Sequence, residues 1–515
     1  METINEFLSE HGCYSVVSES AGDYTLPDYN TDVKRLLLTR ACAVNSAAYP
    51  SADGLDASGV VNYEVVYLDS ENEITSCSFS TDFEVRMRCD ADSFVGALAN
   101  TRVAAYTVRL TGPRKFSVKA QLVTDAHITE RSGMTVDGGA VSLEGAQLKM
   151  GTAAVAARKY AEPGQTTRTE EVARLDGVIA DDVSVLYTDC MPRVDASVCE
   201  KGVELSGELH LRTLIKREGE IPEVIEQSYP FSELLEIDGV GDSAAVNACV
   251  AIPSAQVSVD PTEDGVVLMA ALTVESAAAV VCNEMLSVVL DCYLTDREVT
   301  NSYGEMSYVS HVCAPHSECE IELNIPRDEI GAADVRDIIL MSALCKPDEL
   351  KNEGESVTVR GIMRLSGVAC EINEADELGF TAVKGDRPFE VNVKCGCHLP
   401  DGARIVCTPT VRSVTPSVND TEVCVKIALT VALDVSRTCR MTRLVTSIPD
   451  GEEITHDGVT VSVYYPAAGE SLYDVGRRYH TPVMSIAADN SLTEEVFASS
   501  DESLATLGVK RLIIR

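Results

Sequence analysis

The sequence predicts a mainly β protein, with three tandem antiparallel β-sandwich-like repeats followed by a small β-α-α-β module. Three observations predict it: a motif that returns at near-constant spacing, period-two apolar alternation after each copy, and a tail whose apolar periodicity turns helical. A length of 515 residues exceeds what one core comfortably fills, so several domains are expected. The hydrophobic share of 45% suits a folded chain. Aromatics are only 5% with no Trp, and the Val-rich apolar remainder favours strands.

The recurring motif is Asp32-Val33-Lys34-Arg35-Leu36-Leu37, which returns as Asp334-Val335-Arg336-Asp337-Ile338-Ile339 and more loosely as Asp182-Val183-Ser184-Val185-Leu186-Tyr187. Successive copies are 150 and 152 residues apart. Each is followed by a glycine at or near the start of an alternating stretch: Gly59 in 59–67, Gly207 in 207–215 and Gly361 in 361–369. Alternation puts one set of side chains in a core and the other in water, as a half-buried strand requires. A third anchor follows at Phe83, Phe231 and Phe389, the latter two preceded by Pro230 and Pro388. Each unit then closes with a strand pair, 103–110 with 115–124, 245–259 with 265–274, and 404–414 with 422–435.

A Val-rich strand that alternates needs a second sheet to cover its apolar face, and turn signals such as Ala52-Asp53-Gly54, Glu263-Asp264-Gly265 and Asn419-Asp420 separate the strands. One short helical segment is expected near each Asp-Val anchor. The expected domains are 1–131, 145–300, 318–450 and a tail module at 458–515. Gly, Ser and polar content marks 132–145 and 296–317 as linkers, and Pro449-Asp450-Gly451 closes the third unit.

In the tail, 461–465 alternates as a strand and Pro466-Ala467-Ala468-Gly469 turns out of it. Ser471 is placed to cap a helix whose Leu472, Val475 and Tyr479 share one face. Thr481-Pro482 starts a second helix through Val483 and Ile486, and 510–514 returns as a strand.

Charge and segment character narrow the function classes. With 42 Lys+Arg against 81 Asp+Glu, the net charge of −39 repels nucleic-acid phosphates and anionic lipid. No nucleic acid is therefore expected among the partners. The acidic N-terminus, Met1 through Glu10, does not read as a secretory signal, and the most apolar stretch, 266–282, is interrupted by Glu275. A cytoplasmic address follows as an expectation, under which the 18 cysteines remain free thiols.

Catalytic signatures give little to build on. There is no phosphate-cradling Gly-x-x-x-x-Gly-Lys run, Gly239-Val240-Gly241 lacks a third glycine, and neither a Gly-x-Ser-x-Gly elbow nor a His-Glu-x-x-His zinc motif occurs. His311, Cys313, His316 and Cys319 place four possible zinc donors within nine residues, but their spacing fits no common finger and Pro315 hinders wrapping. Cys395-Gly396-Cys397-His398 lacks a second close pair, and Asn419-Asp420-Thr421 has the form of a glycosylation sequon, without meaning in a cytosolic chain. No cofactor, resident metal or enzymatic activity is expected.

Leu26-Pro27-Asp28 ahead of Asp32-Val33 and Leu36-Leu37, the glycine-led strand and the Pro-Phe element together resemble the SPOCS domain of sporulation proteins. The second unit departs from this pattern, offering Glu162-Pro163 upstream. Gly469-Glu470-Ser471-Leu472-Tyr473 and the run to Tyr479 resemble the opening of a LysM module. Three SPOCS-like units followed by a LysM module resemble the spore-coat morphogenetic family that combines the two. That resemblance implies a non-enzymatic adaptor in the mother-cell cytoplasm at the forespore surface, whose LysM module binds a SpoIVA-like morphogenetic ATPase while coat proteins assemble around it. LysM ligands lie between two loops, which implies a partner-binding surface at Gly469, Glu470, Ser471, Tyr473, Thr481, Asn490 and Ser491, with Tyr473 exposed. The alternatives are a peptidoglycan-binding protein of the cell wall or spore cortex, and a hydrolase with an unrecognised pocket.

Overall fold

The computed structural model describes the chain except residues 1–3, 52–53, 89–93, 136–142, 242–243, 331–334, 373–377, 455–460 and 493–502. Asp334, the turn residues Ala52 and Asp53, half of the first expected linker, the tail boundary at 458 and acidic Glu494, Glu495, Asp501 and Glu502 lie outside the described residues. The protein is mainly β and built from antiparallel sheets. Among the described residues no helix is long and apolar enough to cross a membrane.

The first stretch contains β1 (Ile4–Thr25), β2 (Val33–Ser51), β3 (Gly54–Asp69), β4 (Ile74–Arg88), β5 (Phe94–Gly112) and β6 (Lys115–Thr135). They form two three-stranded sheets, β2-β3-β4 and β1-β6-β5. Alternation on β3 sends Val61, Tyr63 and Phe83 of the facing strand inward against Val118, Ala120 and Leu122 of β6, so the core lies between the two sheets.

The second stretch contains β7 (Ala146–Tyr160), β8 (Gly164–Asp176), a 3-10 turn at Ala180–Asp182, β9 (Val183–Cys199), β10 (Gly202–Arg217), β11 (Glu223–Glu236), β12 (Ala245–Pro261) and β13 (Gly265–Leu294). Order β9-β10-β11 matches β2-β3-β4. The 30-residue β13 pairs with β8 along its first half and β7 along its second, with β12 on the other side. Leu209 and Leu211 of β10 meet Leu268, Ala270 and Leu272 of β13 in the core between these sheets.

The third stretch contains β14 (Arg297–Cys313), β15 (His316–Pro326), α1 (Arg327–Ile330), β16 (Val335–Asn352), β17 (Ser356–Ile372), β18 (Leu378–Lys394), β19 (Arg404–Val418) and β20 (Glu422–Glu453). Order β16-β17-β18 follows the same plan, and β20 pairs with β15, then β14, with β19 opposite. The span 296–317, expected as a linker, is therefore mostly strand β14. Its polar, half-exposed face hides the pattern, while the second half of β20 supplies the backbone partners a lone segment lacks.

Register is common to the three central strands: Gly59 faces Phe83, Gly207 faces Phe231 and Gly361 faces Phe389. Pro230 and Pro388 sit on β11 and β18, which pair on one side only and so need no donor there. The short helical segments precede β9 and β16 but not β2, where the described chain turns without a helix. The three sheets also close on one another, since β4 approaches β9, β11 approaches β16 and β18 approaches β2. Val66, Leu214 and Val368, each seven residues after its glycine, meet Leu37, Tyr187 and Leu340 in one buried cluster shared by all three.

Two buried charge clusters tie the same stretches together. Asp189 of β9 receives Arg212 at 2.6 Å and Arg40 of β2 at 3.0 Å, and Arg212 also donates to the Met341 carbonyl of β16 at 2.9 Å. Asp434 of β20 accepts from Arg158 of β7 at 2.8 Å and from Asn247 of β12 at 2.5 Å, with the His127 and His311 rings 3.5 and 3.6 Å away. A charge removed from water needs such partners on every side.

The tail contains β21 (Ser462–Tyr464), α2 (Leu472–Tyr479), α3 (Val483–Asp489) and β22 (Leu512–Ile514), with β21 and β22 antiparallel. Leu472, Val475, Ile486, Leu504, Leu512 and Ile514 form its core.

Candidate functional site

The sequence-derived surface begins at the turn before α2. Gly469 takes φ +85°, a conformation open to glycine, and is exposed. Glu470 is buried, with its carboxylate accepting from Tyr464 Oη at 2.6 Å and the Ala467 amide at 3.0 Å and pairing with Arg478 at 2.7 Å. Burial alone would raise this carboxyl, but the Tyr464 and Ala467 hydrogen bonds and the Arg478 cation outweigh it and hold it below the usual carboxylate range.

Ser471 caps α2 in a reciprocal box with Asp474: its hydroxyl accepts from the Asp474 amide, and the Asp474 carboxylate accepts from the Ser471 amide. The residue is 1% exposed, so its polar atoms serve the helix start. Tyr473, expected to be exposed, is 2% exposed. Its ring meets the edge of Tyr293 on β13 with centroids 5.2 Å apart, and the Lys149 ammonium lies 5.6 Å from its centroid. Burial pushes its hydroxyl pKa up.

The correction at Tyr473 has a physical cause outside the tail. Tyr293 Oη donates to the Thr481 carbonyl at 2.8 Å, Arg477 pairs with Asp291 at 2.5 Å, and the His480 Nδ1 lies 2.9 Å from the Leu294 carbonyl. A β-carbon added at Gly476 would lie 2.3 Å from Tyr293 Oη, so the glycine admits this close approach. Thr481 is buried here and its hydroxyl donates to the Tyr479 carbonyl. Tyr473 and Thr481, expected on the partner-binding surface, are thus seated against β13.

Asn490 is spent on the tail itself: its amide donates to the Ile486 and Ile513 carbonyls at 2.8 and 2.7 Å and its oxygen accepts from the Ile513 amide at 2.6 Å. Ser491 is exposed at φ +51°. Of the seven candidates, Gly469 and Ser491 remain at the surface, while Glu470, Ser471, Tyr473 and Thr481 are buried and Asn490 is half-buried.

A cleft of about 350 Å³ opens where α2 meets β13, with Arg297, Glu298, Arg477, Arg478 and His480 on its walls. Its arginines are already paired, Arg297 with Asp296, Arg477 with Asp291 and Arg478 with Glu470, and the His480 ring lies 3.3 Å from the Glu298 carboxylate. It is a polar seam between tail and body.

The four candidate zinc donors do not converge. His311 turns to Asp434, the Cys319 thiol donates to the Leu429 carbonyl at 3.4 Å, and His316 is exposed at the start of β15. Cys313 instead lies beside Cys395 and Cys397, and burial with these neighbouring thiols pushes it up to about 12. Among the described residues no group of three or more His, Cys, Asp and Glu is arranged to hold a metal ion.

Sequence reasoning missed Tyr293 and Asp291, because a tyrosine and an aspartate in a strand carry no sign of a docked helix. It also left open which way 461–465 faces. Ser462 and Tyr464 turn toward the tail core, and Val461, Val463 and Tyr465 turn outward.

The chain matches no family model, no curated protein and no solved structure.

Proposed function

We propose that the chain is a structural adaptor of spore-envelope assembly, without catalytic activity, built from three homologous SPOCS-like β-sandwich units and a LysM module. The observation that carries this reading is the Gly–Phe pair that stands at the same cross-strand position in three sheets. It supports three copies of one unit, and the β-α-α-β order of the tail supports the LysM reading. On this reading the three units form a rigid platform at the forespore surface, and the tail selects a SpoIVA-like morphogenetic ATPase as partner in the mother-cell cytoplasm, with coat proteins following.

A peptidoglycan reading needs free polar groups in the loops around α2 and after α3. Ser471, Asn490 and Glu470 spend theirs on the fold, which favours a protein partner. The test is recovery of the ATPase from sporulating cells by the full chain and by a chain lacking residues 458–515. Recovery by the full chain alone is expected. Equal recovery by both overturns the assignment, and retention of the full chain on insoluble peptidoglycan without ATPase recovery replaces it with the glycan reading.

A further inference from the structure

Val463 of β21 and the residues that flank the strand, Val461 and Tyr465, are 56%, 55% and 69% exposed, so one side of this segment presents an apolar stripe to solvent. Scattered exposed apolar residues need no explanation, but three at alternate positions through a strand and its flanks form a continuous surface. Across the pair, Ile513 faces Val463. Arg511 and Arg515 flank Ile513 and are exposed by the same alternation. Arg515 reaches Asp489 at 3.7 Å with its side chain still 61% exposed.

The backbone of this small sheet is asymmetric. Residues opposite one another in an antiparallel pair either exchange both hydrogen bonds or neither. Ile513 gives its N–H and C=O to the Asn490 side chain, so it exchanges none with Val463. The N–H and C=O of Val463 must then point to the outer edge of β21. Among the described residues no hydrogen-bond partner for them is present. Asn490 closes one edge of the sheet, and among the described residues nothing pairs with the other, beside the apolar stripe.

We propose that an extended, acidic segment of a protein partner adds as a strand to the open edge of β21, with its apolar side chains on Val461, Val463 and Tyr465. Main-chain hydrogen bonds supply affinity in this mode and alternate side chains supply specificity. Charge selects the occupant. From 458 to 515, five basic against seven acidic residues leave −2 of the chain's −39. The body therefore repels an acidic strand, while Arg511 and Arg515 beside the stripe attract one. This inference rests on the adaptor reading, and it moves partner contact from the loops around α2 to the sheet edge.

The test measures binding of the full chain to the purified ATPase by calorimetry, together with amide hydrogen exchange over 461–465. Wild type should bind more weakly as salt rises, and binding should slow exchange of the Val463 amide. Val463→Asp, at an exposed position, should weaken binding about 10-fold or more, and R511E with R515E should weaken it and flatten the salt dependence. Circular dichroism of each variant checks that the tail remains folded. Binding that leaves the 461–465 amides unprotected, or that survives V463D and R511E/R515E within twofold, overturns the edge-strand inference while the adaptor reading stands. Failure of the wild-type chain to bind overturns both. Loss of self-association in V463D without change in ATPase affinity makes a second copy the occupant and also overturns it.

Discussion

Gly59 stands directly opposite Phe83 across β3 and β4, and a β-carbon built on Gly59 would lie 2.1 Å from the Val44 carbonyl oxygen and 2.7 Å from Phe83 Cζ. The ring covers the glycine, and the glycine lets the neighbouring strand close in. Gly361 repeats the geometry, 2.1 Å from the Lys346 carbonyl and 2.8 Å from Phe389 Cε1. Gly59→Ala or Gly361→Ala must push a backbone carbonyl aside, and each should destabilise its sheet by about 2 kcal/mol or more. Urea unfolding followed by circular dichroism checks this. An unchanged midpoint would show that the strands relax freely around the added methyl.

Asp189 is placed to hold three stretches of chain through Arg40, Arg212 and the Arg212 contact to Met341. Burial would raise its carboxyl, but the two guanidinium groups outweigh burial and hold it below the usual range. Asp189→Asn leaves the buried Arg212 cation facing a neutral amide, while half-buried Arg40 keeps Glu64, and breaking a buried pair in this way costs about 3–5 kcal/mol. Limited proteolysis should show faster cleavage between the three stretches than in wild type. Equal cleavage rates would mean the apolar cluster at Val66, Leu214 and Val368 holds the sheets without the charges.

The recurrence of the glycines and phenylalanines was legible as repeated anchors, but that each glycine faces its phenylalanine across two strands was not, because sequence spacing does not give strand pairing. The alternating runs were legible because each core face is apolar. Strand β14 was not, since its partner β20 lies more than a hundred residues away and its own Ser, Tyr and Thr read as linker. Arg158 and Arg212 carry no mark of burial in the sequence, yet both are nearly inaccessible because their carboxylate partners come from other strands. Tyr473 failed for the same kind of reason. The helical stripe of α2 accounts for the tail's own core but says nothing of Tyr293, which covers the residue next to it.

Asp434 gives the pH prediction. Burial would raise its carboxyl, but the His311 ring, the Arg158 guanidinium and the His127 ring outweigh it and hold the carboxyl far below the usual range. With the folded value depressed, the native state binds fewer protons than the unfolded chain near the ordinary carboxylate pKa of about 3.9. Its stabilising contribution is therefore full above that value and is lost as pH falls below it. Asp434→Asn should lower stability at neutral pH and flatten the acid limb of a stability curve between pH about 5 and about 2. An acid limb parallel to wild type would assign acid sensitivity to other carboxylates.

Tyr293 joins the tail to the body through two separable interactions, the ring edge on Tyr473 and the hydroxyl donated to the Thr481 carbonyl. Tyr293→Phe keeps the ring and removes one buried hydrogen bond, so tail docking should weaken by about 1 kcal/mol. Tyr293→Ala also opens a cavity beside Tyr473 and should cost about 3–5 kcal/mol. Gly476→Val tests the same seam from the other side, because its side chain needs the space the Tyr293 hydroxyl occupies. Cross-linking of Lys149, which lies over the Tyr473 ring, to cysteine introduced at exposed Arg477 reports docking directly. The yield should fall slightly in Y293F and strongly in Y293A and G476V, with far-UV circular dichroism unchanged. Equal yields in all four proteins, which lack the Arg477 guanidinium alike, would mean that the His480 contact to Leu294 and the packing of α2 seat the tail without the tyrosine.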